Sequence, residues 1–241
     1  MNLKSESIKA KFPNEKIIST DDLFKFYQSE KPDIKKTTVN WRIYELVQNG
    51  TLKRIGRGKF AIGSSIEYVP EILEVEKRIN SVILHEFPFI QYCVWYTSKL
   101  NEFLQHQTFF QWAILEVEKE VLDSVYHVVK DQFAKTYKKP SREVVKDVLA
   151  SQKNSVVIKT LVSEAPLQKV QNIPTSSLEK MLVDVYCDKS LFYYVQGGEL
   201  VHIYRNAFDK YTINKSKLLR YAARRQRKLE IDEFLLSIDR H

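Results

Sequence analysis

Glycine is scarce in this chain, and its placement constrains the fold more than any other feature. The 241 residues hold six glycines, and four of them fall between Gly50 and Gly63, in "GTLKRIGRGKFAIG". Glycine adopts backbone conformations closed to other residues, so this cluster marks chain that must turn tightly. "LKRI" and "KFAI" are short β-prone runs joined through "GRG", which predicts a hairpin with a glycine-containing connection. Lys53, Arg54, Arg57 and Lys59 lie within it and make the hairpin basic.

Three nucleotide-related readings of the same glycines fail. Gly56 to Ala61 fits the dinucleotide pattern G-x-G-x-x-G/A, but that chemistry needs a helix N-terminus directly after the glycines to hold the pyrophosphate. Strand-like "KFAIG" follows instead. No G-K-[ST] occurs, which excludes a P-loop. Gly63-Ser64 followed by Glu74 and Glu76 imitates a nucleotidyltransferase signature. Those carboxylates need a strand, whereas "PEILEVEKRIN" is an amphipathic helix on which positions i and i+2 diverge by about 200°.

The residues before the hairpin predict a compact helical unit. "LKSESIKAKF" reads as a short helix and "KIIS" (Lys16 to Ser19) as a brief strand. Thr20 is the expected cap of "DDLFKFYQSE", whose Leu23, Phe26 and Tyr27 form one apolar face. A second helix, "TTVNWRIYELVQNG", buries Val39, Ile43, Leu46 and Val47, and Gly50 ends it at the C′ position. Thr37, Thr38, Trp41 and Tyr44 then lie away from the buried stripe, with Asn40 and Arg42 on its flanks. Helix, strand, helix, turn, helix and basic hairpin, in that order, form the winged helix-turn-helix plan. Its second helix enters the major groove, so the expected DNA contacts are Lys36, Thr37, Thr38, Asn40, Trp41, Arg42 and Tyr44, with Lys53, Arg54, Arg57 and Lys59 on the wing. The partner so implied is double-stranded DNA.

Charge supports a polyanion partner. The net charge is +8, yet residues 1–63 carry 13 basic and 7 acidic side chains, and residues 214–228 carry 7 basic and none acidic. Two basic regions thus flank a mildly acidic body, the electrostatic footprint of nucleic-acid binding. In the second region Arg220, Arg224, Arg227 and Lys228 are spaced as one helical stripe and, with Lys217, form a second basic patch.

The rest of the chain mixes strands and helices. "FIQYCVWYT", "TFFQWAILEV" and "SVVIKTLV" are strand candidates rich in aromatic and β-branched residues. "EILEVEKRINSVILHEF", Lys119 to Ala134 and "SREVVKDVLASQ" (capped by Ser141) are helical, as is most of the chain from Thr175 onward. The expected fold class is α+β: a winged helix over residues 1–63, a linker over 64–70, and a mixed α/β domain with C-terminal helices over 71–241. Glu116 and Glu118 read as a solvated strand end without nuclease spacing. The five histidines have no metal-ligand spacing, and no G-x-S-x-G is present. No catalytic residue, metal or cofactor is expected. The first ten residues lack an apolar segment, the longest apolar run is too short to span a bilayer, and the two cysteines lie far apart. A cytoplasmic protein with free thiols and no membrane partner is expected.

"TTVNWRIYELVQNGTLKRIGRGKFAIG" resembles the N-terminal domain of AbiEi-type antitoxins of type IV toxin–antitoxin (abortive infection) systems. There a threonine-led helix runs into a glycine- and arginine-rich wing. "VVIKTLVSEAPL", "LEKMLVDVYCDK" and "RNAFDKYTINKSKLLRYAARR" resemble the larger domain of a related group. The resemblance implies a bacterial protein that binds operator DNA, represses its own operon and counteracts a nucleotidyltransferase-like toxin without a stable complex. The alternatives are a stand-alone winged-helix regulator of a mobile element, or an enzyme (nuclease or nucleotidyltransferase) in the second domain.

Overall fold

The computed structural model describes residues 3–13, 17–63, 66–106, 108–109, 111–152 and 154–238. Of the positions read above, Lys16, Ser64, Ser65, Phe110 and His241 lie outside them. The chain is α+β and divides into two units, residues 1–68 with 208–217, and residues 69–207 with 218–241.

The first unit opens with α1 (Ser5–Lys11), β1 (Ile18–Ser19) and α2 (Thr20–Glu30). Ser19, not Thr20, caps α2: its Oγ accepts from the Asp22 N–H at 3.1 Å while its own N–H donates to Asp22 Oδ2 at 2.9 Å. This reciprocal capping box satisfies two backbone donors at once. Thr20 is instead the first helical residue, and its N–H donates to the Gly58 carbonyl at 2.9 Å, tying the helix start to the hairpin turn. After α3 (Lys36–Gln48), the glycine cluster does form a hairpin, β2 (Leu52–Gly56) and β3 (Lys59–Ile62). β3 is the central strand of the antiparallel sheet β1-β3-β2. The register skips Ile55 opposite Arg54 and Gly56, a bulge that sharpens local twist. Gly58 sits at φ +67, and a Cβ there would lie 3.2 Å from Thr20 Oγ1, so the turn requires glycine. Leu23, Tyr27, Val39, Ile43, Leu46 and Phe60 pack into one core, in line with the apolar faces read from α2 and α3.

The second unit is built on a four-stranded sheet of order β4-β5-β7-β6. Its strands are β4 (Tyr92–Tyr96), β5 (Trp112–Val117), β6 (Thr136–Lys138) and β7 (Ser155–Thr160), with β4 antiparallel to β5 and the other neighbours parallel. β4 and β5 are buried along their whole length, which is why they read as near-continuous apolar runs. One face packs on Ile79 and Ile83 of α4 (Glu74–Glu86) and on Val125 and Val129 of α5 (Leu122–Gln132). Short α6 (Arg142–Asp147) is capped by Ser141, whose Oγ accepts from the Val144 N–H. A hairpin of β8 (Leu167–Val170) and β9 (Ile173–Ser176) precedes α7 (Leu178–Cys187), which is buried from Leu178 through Val185. α8 (Gly198–Lys210), α9 (Lys215–Arg224) and α10 (Lys228–Ile238) complete the chain. Among the described residues no helix is long and apolar enough to cross a membrane.

Candidate nucleic-acid interface

α3 turns Val39, Ile43 and Leu46 inward, so its remaining positions are fixed outward by the helical period. Thr37, Asn40, Trp41 and Tyr44 fall at i, i+3, i+4 and i+7 and are all exposed. Trp41 is 45% and Tyr44 55% accessible, large values for aromatic side chains in a unit with its own core. Lys36 is exposed with its ammonium 5.7 Å from the Phe24 ring centre, and Thr38 is half-buried. Arg42 differs from its expected role. Its guanidinium lies 4.7 Å from the Tyr27 ring centre and its Nε is buried, so it braces α3 against α2 rather than projecting outward.

The hairpin displays its cations differently. Arg57 and Lys59 flank Gly58 and are exposed, while Lys53 is half-buried. Arg54 stands directly opposite Phe60 in the register and lays its guanidinium 5.1 Å from that ring's centre, covering the edge of the core while staying accessible. No carboxylate is paired with any of these four among the described residues.

The second basic patch is not one stripe. α9 ends at Arg224, Gln226 takes a positive φ of 55, and α10 starts at Lys228, so Arg227 and Lys228 leave the helical register of Arg220 and Arg224. Arg224 pairs with Glu164, and Arg227 with Glu230 at 2.9 Å. Arg220 and Lys228 are exposed, while Lys217 is half-buried.

Glu116 is the clearest departure from the sequence reading. It is 1% exposed rather than solvated, and 2.7 Å from the ammonium of fully buried Lys180. Lys180 also meets Asp184, one helical turn on, at 2.5 Å. Arg225 holds Asp184 at 2.5 Å and pairs with Asp188, which Lys159 also contacts. The Tyr221 hydroxyl donates to Asp184 at 2.9 Å. Three cations and three carboxylates therefore neutralise one another inside the second unit. Burial alone would discharge Lys180, but Asp184 and Glu116 hold its pKa well above the ordinary lysine value. Burial likewise pushes Asp184 up, and the surrounding Lys180, Lys159 and Arg225 outweigh it, bringing the carboxyl to about 2. Glu118 lies past the end of β5 and accepts the Gln91 N–H at 3.1 Å. Glu74 is exposed and Glu76 buried against Lys99 at 2.5 Å, so that pair shares no site. The sequence carried one overlooked signal: Lys180 and Asp184 are charges at helical i, i+4 spacing within the largely apolar "LEKMLVDVYC".

Among the described residues no group of three or more His, Cys, Asp or Glu side chains is placed to hold a metal ion. Cys93 and Cys187 are free thiols. Compared with known proteins, residues 38–241 match the model of DUF6577, a family of unknown function. No curated protein matches the chain.

Proposed function

We propose that this chain, which belongs to the DUF6577 family, binds double-stranded operator DNA through a winged helix in its first unit and acts as a transcriptional autorepressor of the type IV antitoxin kind. The observation that carries the reading is the exposed stripe of Thr37, Asn40, Trp41 and Tyr44 on α3, followed directly in the chain by a hairpin bearing Arg54, Arg57 and Lys59. Three elements support it. β2 and β3 form an antiparallel hairpin directly after α3 within the sheet order β1-β3-β2, as a wing does. Asn40 has the donor and acceptor pair that reads adenine in the major groove. The hairpin cations suit phosphates or the adjacent minor groove, which position the protein without reading sequence. Arg42 is left out of base reading because Tyr27 already holds it. The antitoxin element rests on the resemblance of the two halves to the AbiEi group, and direct toxin binding is not part of it.

Binding of full-length protein to a fluorescent duplex from upstream of its own gene, titrated across salt, tests the proposal. Four hairpin cations on four phosphates give a log–log slope of roughly −3 to −4. Arg57→Ala should flatten the slope by about one, whereas Asn40→Ala should relax discrimination at one base pair by about 1–3 kcal/mol. Salt-independent binding, or Arg57→Ala binding as the parent does, refutes the wing assignment. Growth rescue of cells expressing an adjacent nucleotidyltransferase gene separates an antitoxin from a plain regulator.

A further inference from the structure

The second unit contains a cavity of about 510 Å³ that the DNA-binding reading does not use. Its size falls within the range of small-molecule sites. It opens where the parallel strands β6 and β7 end. Val157 and Lys159 alternate onto the same face of β7, and Lys139 follows β6 directly. Lys139 takes a positive φ of 43, and its N–H donates to the Ile158 carbonyl at 2.9 Å, so backbone pairing fixes the origin of its side chain. The carboxyl ends of parallel strands are where open α/β sheets bind ligands, because the connecting segments leave a crevice there.

The wall has a definite charge. Lys139, Lys159, Lys189 and Arg227 face two carboxylates, Asp188 and Glu230. Both carboxylates are committed: Asp188 to Lys159 and Arg225, and Glu230 to Arg227 at 2.9 Å. Lys139 and Lys189 make no ion pair among the described residues, which leaves the wall with a surplus of two positive charges. Val157, Leu191 and Pro140 supply an apolar floor, and the Tyr186 ring stands beside it with the Lys189 ammonium 5.9 Å from its centre. Half-buried Cys187 also lines the cavity, but burial raises its thiol to about 11, so it stays protonated and supplies no nucleophile.

We propose that this cavity binds a small organic phosphate, with the phosphate at Lys139 and Lys189 and its planar or apolar body against Tyr186 and Leu191. A dianionic phosphate matches the surplus charge, and a body is required because the floor is apolar. The inference is independent of the DNA-binding reading and is tested without DNA.

Isothermal titration of full-length protein with AMP, adenosine and inorganic phosphate decides it. AMP should bind with saturation below ~5 mM and at least about tenfold more tightly than adenosine or phosphate. The double variant Lys139→Gln, Lys189→Gln changes only exposed side chains, so its unliganded melting temperature should equal the parent's while AMP affinity falls at least about tenfold. Absence of AMP binding at ~5 mM, equal affinity for inorganic phosphate, or undiminished AMP affinity in the double variant would each overturn the proposal.

Discussion

Lys180→Met is the sharpest test of how the second unit holds together. The substitution keeps an unbranched side chain of similar length but removes a fully buried charge that lies 2.7 Å from Glu116 and 2.5 Å from Asp184. Breaking a buried ion pair from one side costs about 3–5 kcal/mol, because the abandoned partner keeps its desolvation penalty. Here the partners are not wholly abandoned. Asp184 retains Arg225 at 2.5 Å and the Tyr221 hydroxyl at 2.9 Å, and Glu116 retains Lys159 at 3.7 Å. That places the cost near the lower end, about 3 kcal/mol. For a unit of this size each kcal/mol moves the melting temperature by about 2–4 °C, so a fall of about 6–12 °C is expected. Calorimetry or circular dichroism at pH 7 measures it. The double variant Lys180→Met, Glu116→Met should recover at least half of the loss, because it removes one charge of each sign and replaces both with apolar volume. A single-variant fall below about 2 °C, or a double variant worse than the single, would refute the argument that mutual neutralisation holds this interior.

Other outcomes follow from the same structure. Asp184 is held at about 2, below its ordinary 3.8, so it stabilises the fold above pH 4 and that contribution is lost as pH falls toward 2. An acid titration of stability should therefore be flatter in Asp184→Asn over that interval, despite the variant's lower stability at pH 7. Gly58→Ala forces an alanine to φ +67 against Thr20 and should cost about 1–2 kcal/mol by chemical denaturation, with Ser19→Ala costing about 1 kcal/mol through the lost cap. Burial raises both cysteine thiols, so alkylation by iodoacetamide at pH 8, followed by intact mass, should be slow in the native protein and fast once it is unfolded; rapid native labelling of both thiols would contradict the packing around Cys93.

Much of the architecture was legible because its causes are local. The apolar stripes of α2 and α3, the glycine-marked hairpin and the near-continuously apolar β4 and β5 each follow from residues a few positions apart. Three features escaped for separate reasons. The β8–β9 hairpin turns through Gln171 and Asn172, both at positive φ, so the usual glycine mark is missing. β6 has only three residues and gains its place by parallel pairing with β7, which no short window shows. Glu116 and Lys180 are 64 positions apart, so nothing near Glu116 foretells a buried cation; the clue lay in Lys180 and Asp184, one turn apart on a largely apolar helix. At the candidate interface, spacing alone separated outward from inward residues on α3. It could not separate Arg42 from Asn40, because stacking on Tyr27 depends on how α2 crosses α3.

The small segment 208–217 has a consequence for how such a protein can change over evolutionary time. It belongs to the first unit, where the Thr212 N–H donates to the Ile66 carbonyl at 2.8 Å, Thr212 Oγ1 accepts from the Ile66 N–H at 3.2 Å, and Tyr211 meets Tyr68 edge-on at 5.2 Å. A unit assembled from two distant parts of the gene is not a cassette. Recombination that exchanged residues 1–68 alone would set an incoming segment against a segment 208–217 from another parent, in place of the Ile66–Thr212 and Tyr68–Tyr211 contacts. The two halves of the chain are thereby obliged to travel together, and drift in one is answerable to the other.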